Sequence, residues 1–165
     1  MLFRSGLRWS DGHELTAADF AFTYRAMREQ SVFSGHFLEG VEAEATDPRT
    51  LDLRLAEPRA ELLYLLAQLA FFPWPRHRVE SLGDDWRAPG KLVGNGPFVI
   101  AEFGEDSALL ATNPLWCGSR GNIEELAIGL RPASEALDEW NAGRHDFLLA
   151  TRLRETPSTD RKSVV

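Results

Sequence analysis

The chain has 165 residues, 44% hydrophobic and 26% charged, values of a globular chain long enough to bury a core rather than of a disordered one. Its formal net charge of −7 is spread along the sequence without an acidic tail, which argues against a nucleic-acid partner, since such partners call for a basic face. Cys117 is the one cysteine, which excludes an internal disulfide and a cysteine-built metal site.

Leu7 and Trp9 alternate with Arg8 and Ser10, the pattern of a short strand. Ser10-Asp11-Gly12 is a turn, because Asp can bond its own backbone two residues on and Gly accepts positive φ. Thr16 is placed to cap a helix running to about Glu29 or Gln30. Its hydroxyl can accept from the Asp19 amide while Asp19 reaches back, and Phe20, Tyr24 and Met27 recur at helical spacing. Residues 31–40 read as a loop. Val41–Thr46 and Leu51–Leu55 alternate around "DPRT", which predicts a β-hairpin.

Glu57-Pro58 opens a predicted helix through Ala70, apolar nearly all round and so expected to be buried on several sides. A short helix over Arg76–Leu82 should stop at Gly83. The glycine-rich "APGKLVGNGPF" precedes two strands, Phe98–Phe103 and Ala108–Thr112, with a further strand at Leu126–Leu130. Ala133–Ala142 reads as a helix with Ala136, Leu137 and Trp140 on one face and Gly143 as its C-cap. A strand at Phe147–Ala150 would complete a strand–helix–strand unit with a parallel pair.

No apolar run reaches the length of about 18 residues that a membrane span needs. "MLFRSG" carries no secretory signal. Under one codon choice "LFRS" and "DRKS" are encoded by reverse complements, as a flanking sequencing adapter would be. Residues 1–6 and 160–165 are therefore expected to be adapter-derived, the missing signal carries no information, and both ends are left out of fold reasoning. Residues 154–159 complete the tail.

The four histidines, His13, His36, His77 and His145, lack the close spacing of a zinc site, and no metal or cofactor is expected. "DGHE" places Asp11, His13 and Glu14 together, which a surface turn explains. "GNG" leads into a strand and lacks the Lys-Ser/Thr of a phosphate loop. No Gly-x-Ser-x-Gly elbow exists, and Asp146 beside His145 reads as a turn residue. Of the five tryptophans, Trp140 suits a helix face. Trp74, Trp86 and Trp116 sit in connectors, where they line a pocket or pad irregular structure.

The order of these signals resembles the family 5 extracellular solute-binding proteins, the oligopeptide- and dipeptide-binding receptors of ABC importers. "LRWSDGHELTAADFAFTYRAM" is similar to the family's strand, Asp-Gly turn and Thr-Ala-x-Asp helix start. "EATDPRTLDLRLAEPRAELLYLLA" resembles its hairpin and helix, and "LVGNGPFVIAEF" its Gly-Pro turn and strand. "LLATNPLWCG" and "ALDEWNAGRHDF" resemble two later segments. Phe98, the Leu115-Trp116-Cys117 run and "GRHD" depart from the pattern, which bears on ligand specificity. The likeness spans Leu7 to about Leu153.

The resemblance implies an α/β chain forming part of a two-lobed periplasmic-binding-protein-like fold, with mixed sheets and packed helices. Residues 7–92 would be the accessory domain of a peptide receptor and 93–153 part of the first lobe. It implies a non-catalytic component, periplasmic or at the cell surface, whose partners are a peptide or other small solute and the permease subunits. Trp9, Asp11, Gly12, Thr16, Asp19, Gly94, Gly96, Pro97, Asn113 and Pro114 would be structural. Phe33, His36 and Phe37, in the loop after the first helix, are candidates for ligand contact, with loop padding as the alternative. A hydrolase on a similar scaffold and a solute-presenting receptor for a sensor are the competing functions.

Overall fold

A computed structural model describes residues 1–29 and 33–149. The chain first builds a helix on a hairpin. Helix α1, Ala17–Glu29, lies against an antiparallel pair, β1 (Val41–Asp47) and β2 (Thr50–Leu55). The register pairs Val41 with Leu55, Ala43 with Leu53 and Ala45 with Leu51, so the alternation read from sequence turns one face toward the helix. Asp47 closes the turn by accepting the amides of Arg49 (2.8 Å) and Thr50 (3.0 Å) on Oδ1. Ala17, Ala21, Tyr24 and Met27 of α1 form one buried cluster with Leu38, Val41, Leu51, Leu62 and Phe71.

Residues 1–3, left out of the sequence reading, also pack here. The Phe3 amide donates to Arg49 O (2.8 Å), Leu2 bridges Thr50, and the Phe3 ring stacks on Phe20 at 4.3 Å.

The predicted helix through Ala70 is only one turn and a half, α2 (Leu62–Leu66), followed by a 3-10 turn at Leu69–Phe71. Gln68 takes extended geometry (ψ 148°), which breaks the helix between them. Nor is the segment buried on several sides: Leu63, Tyr64 and Leu69 are 72%, 76% and 81% exposed. Its all-round apolar character needs cover that the described residues supply fully at Leu62 and Phe71 and in part at Leu65 and Leu66. Helix α3, Arg76–Leu82, ends as predicted at Gly83, whose φ of 56° a side chain would resist. Beyond it, Arg87 lies over both Trp74 and Trp86, 4.9 and 4.8 Å from their ring centres, so these tryptophans pad a connector.

The later residues form a second sheet in the order β3 (Phe98–Phe103), β4 (Ser107–Thr112), β5 (Glu125–Gly129), antiparallel throughout. Helix α4, Ala133–Asn141, follows, with Gly143 at φ 69° beyond its end. Residues 147–149 are not a strand, and Ala150 lies outside the described residues. Among the described residues both sheets are antiparallel, so the predicted parallel pair is replaced by a meander. No helix among the described residues is long and apolar enough to cross a membrane.

Candidate functional site

Three of the sequence motifs, the Ser10-Asp11-Gly12 turn, the glycine-rich segment and Asn113-Pro114, converge on one corner. The strand expected at Leu7 and Trp9 is a single bridge, Arg8 to Glu14, closed by Leu15 N to Leu7 O (2.9 Å) and Trp9 N to His13 O (2.8 Å). Gly12, at φ 91°, lets the chain reverse within this tight loop. Trp9 is 2% exposed and packs with Leu15 and Val93. Its Nε1 is buried with no hydrogen-bond partner among the described residues.

Asp19 caps α1 in a way that differs from the sequence expectation. Its Oδ2 accepts the Thr16 amide (2.8 Å) and the Thr16 hydroxyl (3.3 Å), whereas the Asp19 amide donates to Thr16 O (3.1 Å). The Thr16 hydroxyl is thus a donor to the carboxylate, and it is the Thr16 carbonyl that accepts from the helix. The other oxygen of Asp19 accepts the Arg76 amide (3.2 Å), and the Thr23 hydroxyl accepts the Trp74 amide (2.7 Å). Both bonds tie the start of α3 to α1.

From the corner, Ser10 holds the glycine-rich segment at both polar groups. Its amide donates to Gly94 O (2.8 Å) and its hydroxyl accepts the Gly94 amide (3.1 Å). Asn113, 1% exposed, then locks that segment to the end of β4. Its Nδ2 donates to Gly96 O (2.8 Å), its amide donates to Pro97 O (2.8 Å), and its Oδ1 accepts the Leu115 amide (2.9 Å). Arg120 donates to Asn113 O and Pro114 O at 3.2 and 3.0 Å. Neither Gly94 nor Gly96 has a positive φ, and a side chain at either would meet nothing within 4 Å. Nothing in the structure explains glycine at those two positions.

Asp11 forms the most concentrated set of charged and titratable groups at the corner. His77, in the first turn of α3 and 66 residues away in sequence, stands with Nε2 at 2.7 Å from Asp11 Oδ2. Arg78 Nε donates to the same oxygen at 3.0 Å, and His13 Nδ1 is 3.3 Å from Oδ1. The two imidazoles stack at 4.0 Å and 14°. Partial burial by itself would raise the Asp11 pKa. The hydrogen bonds from His77 and the His13 amide, with the His77 charge and Arg78, outweigh it and hold the carboxyl down to about 2. Sequence spacing concealed this grouping because the second histidine arrives on another element. Among the described residues no hydroxyl or thiol is hydrogen-bonded to either imidazole, so the arrangement lacks the nucleophile of a Ser-His or Cys-His site.

The residues expected to touch ligand fall on a 3-10 helix, Phe33–Leu38, where the sequence suggested a loop. The Phe33 side chain lies outside the described part. His36 and Phe37 are exposed, while Leu38 at the end of the turn is fully buried and anchors it. Arg59 donates to Phe37 O (2.8 Å) and to Glu39 O (3.3 Å) and pairs with Glu61 at 3.2 Å. His36, Glu39, Pro58 and Arg59 line an open cleft of about 660 Å³. The cleft therefore joins His36 to the segment that precedes α2, with the Arg59 guanidinium set among the carboxylates of Glu39, Glu57 and Glu61.

The model of bacterial extracellular solute-binding proteins, family 5, matches residues 2–163. The chain belongs to this family. It is 34% identical to the Escherichia coli K12 protein named "Probable deoxycholate-binding periplasmic protein YgiS", covering 87% of this chain and 31% of that protein. It is 26% identical, over the same shares, to the periplasmic murein peptide-binding protein MppA of E. coli K12. The fold is similar to that of Haemophilus influenzae OppA solved with the peptide RPPGFSPFR, with a TM-score of 0.76 at 23% identity over 87% of this chain and 33% of that one. The chain thus spans about a third of the length of the curated relatives it matches. The periplasmic-binding-protein-like fold expected from the motifs stands.

Proposed function

We propose that the chain is part of the substrate-binding component of an ABC importer, periplasmic or at the cell surface, that captures oligopeptides or dipeptides and delivers them to permease subunits without converting them. The observation that carries this reading is the family match along residues 2–163, on a corner whose three motifs are hydrogen-bonded to one another. The accessory-domain reading of residues 7–92 is supported by their separate hairpin-and-helix core, and 93–153 would contribute to the first lobe. In this reading Phe33, His36 and Phe37 meet the ligand, with Arg59 and the glutamates around it close by. Peptide receptors hold the ligand backbone by hydrogen bonds and leave side chains in roomy pockets, which an open polar cleft beside exposed aromatics would serve.

A second solute class has specific support: the 34% identical relative is named for deoxycholate. An apolar acid of that kind would use the same aromatics and the Arg59 guanidinium. The test is a chimera in which this chain replaces the matching segment of MppA. Calorimetry with a tri- to pentapeptide pool and with deoxycholate should show binding of peptide. His36→Ala and Phe37→Ala should weaken it by several-fold. A folded, monodisperse chimera that binds neither solute, or that turns a peptide over, would defeat the proposal. The 165-residue chain alone should bind peptides weakly or not at all, because family affinity comes from enclosure between two lobes and the ordering of each ligand side chain costs about 0.5–1.5 kcal/mol.

A further inference from the structure

We propose that Asp11, His13 and His77 form a binding site for a divalent transition cation of the Zn2+ type, set at the corner that joins α1, α3 and the second sheet. The three side chains each offer one donor atom, and these atoms lie within 4.8 Å of one another. Tetrahedral zinc with bonds of about 2.0–2.1 Å holds its donors roughly 3.3 Å apart. His13 Nδ1 and Asp11 Oδ1 already stand at 3.3 Å. His77 Nε2 and Asp11 Oδ2, at 2.7 Å, are bridged by a hydrogen bond. A cation would replace that proton and open the pair slightly. Two imidazoles and one carboxylate are a donor set that zinc accepts, and three protein donors leave one position for water.

The backbones that carry the donors are held before any cation arrives, and the exposed His13 ring would turn out of its stack on His77 to aim its lone pair at the cation. Asp11 and His13 sit on the loop closed by Trp9 N to His13 O and Gly12 N to Trp9 O. His77 rides on the first turn of α3, whose Arg76 amide is bonded to Asp19. The His13 side chain is 61% exposed, which leaves an entry path from solvent. Arg78 opposes the cation, since its Nε occupies Asp11 Oδ2 at 3.0 Å. Its side chain is one third exposed and has water to move into. A bound cation would staple α3 to the corner one residue from Ser10, the residue that holds Gly94. The site would thus be structural, stiffening the joint between the hairpin region and the second sheet.

Zinc titrated into the 165-residue chain at neutral pH, followed by calorimetry, should bind with one equivalent per chain and micromolar affinity. Co2+ should give visible d–d bands that Zn2+ removes. His13→Ala and His77→Gln should each weaken binding by about tenfold or more. The glutamine keeps a hydrogen-bond donor toward Asp11, so the metal-free circular dichroism of that variant should match the parent. Arg78→Gln should bind at least as tightly as the parent, and His36→Ala and His145→Ala should bind equally. Absence of saturable micromolar binding, weaker binding by Arg78→Gln, or losses in the His36 or His145 variant equal to those of His13→Ala would overturn the site.

Discussion

The hairpin region and the second sheet obey the same strand patterns and end with very different interiors. Around α1 and β1–β2, Ala17, Met27, Leu38 and Leu51 are at most 1% exposed. From Phe98 to the end of α4 the one buried residue among those described is Asn113, a polar lock just past β4 rather than a core side chain. Phe103, Ile128, Leu130 and Trp140 are 55%, 47%, 63% and 40% exposed. A helix laid across a hairpin makes a two-layer core from local sequence. A three-stranded meander followed by a lone helix does not, because each needs a second layer for its apolar face. Correct strand pairing is therefore no guarantee of burial.

Truncation should separate the regions most sharply. Leu51→Ala removes a side chain at 0% exposure and should cost about 2–5 kcal/mol, whereas Ile128→Ala should cost less than about 1 kcal/mol. Urea unfolding followed by circular dichroism measures both, and equal losses would erase the contrast. Asp19→Ala comes next. It strips three hydrogen bonds from a carboxylate that is 6% exposed, and a loss of about 1–3 kcal/mol should appear in the same assay.

The titration of Tyr24 sharpens the comparison further. Burial pushes its hydroxyl up from 10.0 to about 12. A folded-state pKa above the unfolded value means that the stabilisation is complete below pH 10 and is lost as pH rises toward 12. Tyr24→Phe should remove that alkaline loss, while Tyr64→Phe, at a side chain 76% exposed, should leave it in place. Thermal melts across that window decide it. The smallest effect should come from Glu44→Gln, which breaks a surface pair with Arg54 at 3.3 Å and should change stability by about 0–1 kcal/mol.

Much of the secondary structure was legible because its signals are local. The hairpin follows from alternation around an Asp-Pro turn, α3 stops at a glycine with positive φ, and β3 and β4 fall on the runs Phe98–Phe103 and Ala108–Thr112 to within one residue. The α2 segment was misread because apolarity on all sides states a demand for cover without stating that cover is present. The strand at Phe147 was misread for a related reason: a short apolar run becomes a strand only when an edge is there to pair with it. The capping of α1 was half legible. Thr16 and Asp19 were the right residues, but the spacing left open which group donates.

What the sequence alone determined is the family, the hairpin and the placement of α1, α3, β3, β4, β5 and α4, since periodicity, turn chemistry and ordered motifs are carried by residues close together in the chain. Tertiary structure alone decided that Asn113 closes onto Gly96 and Pro97 and Ser10 onto Gly94. It alone brought His77 across 66 residues to Asp11. The physical reason is that these contacts depend on how α3 and the glycine-rich segment are carried around α1. That path is set by packing between elements, which no spacing along the chain records.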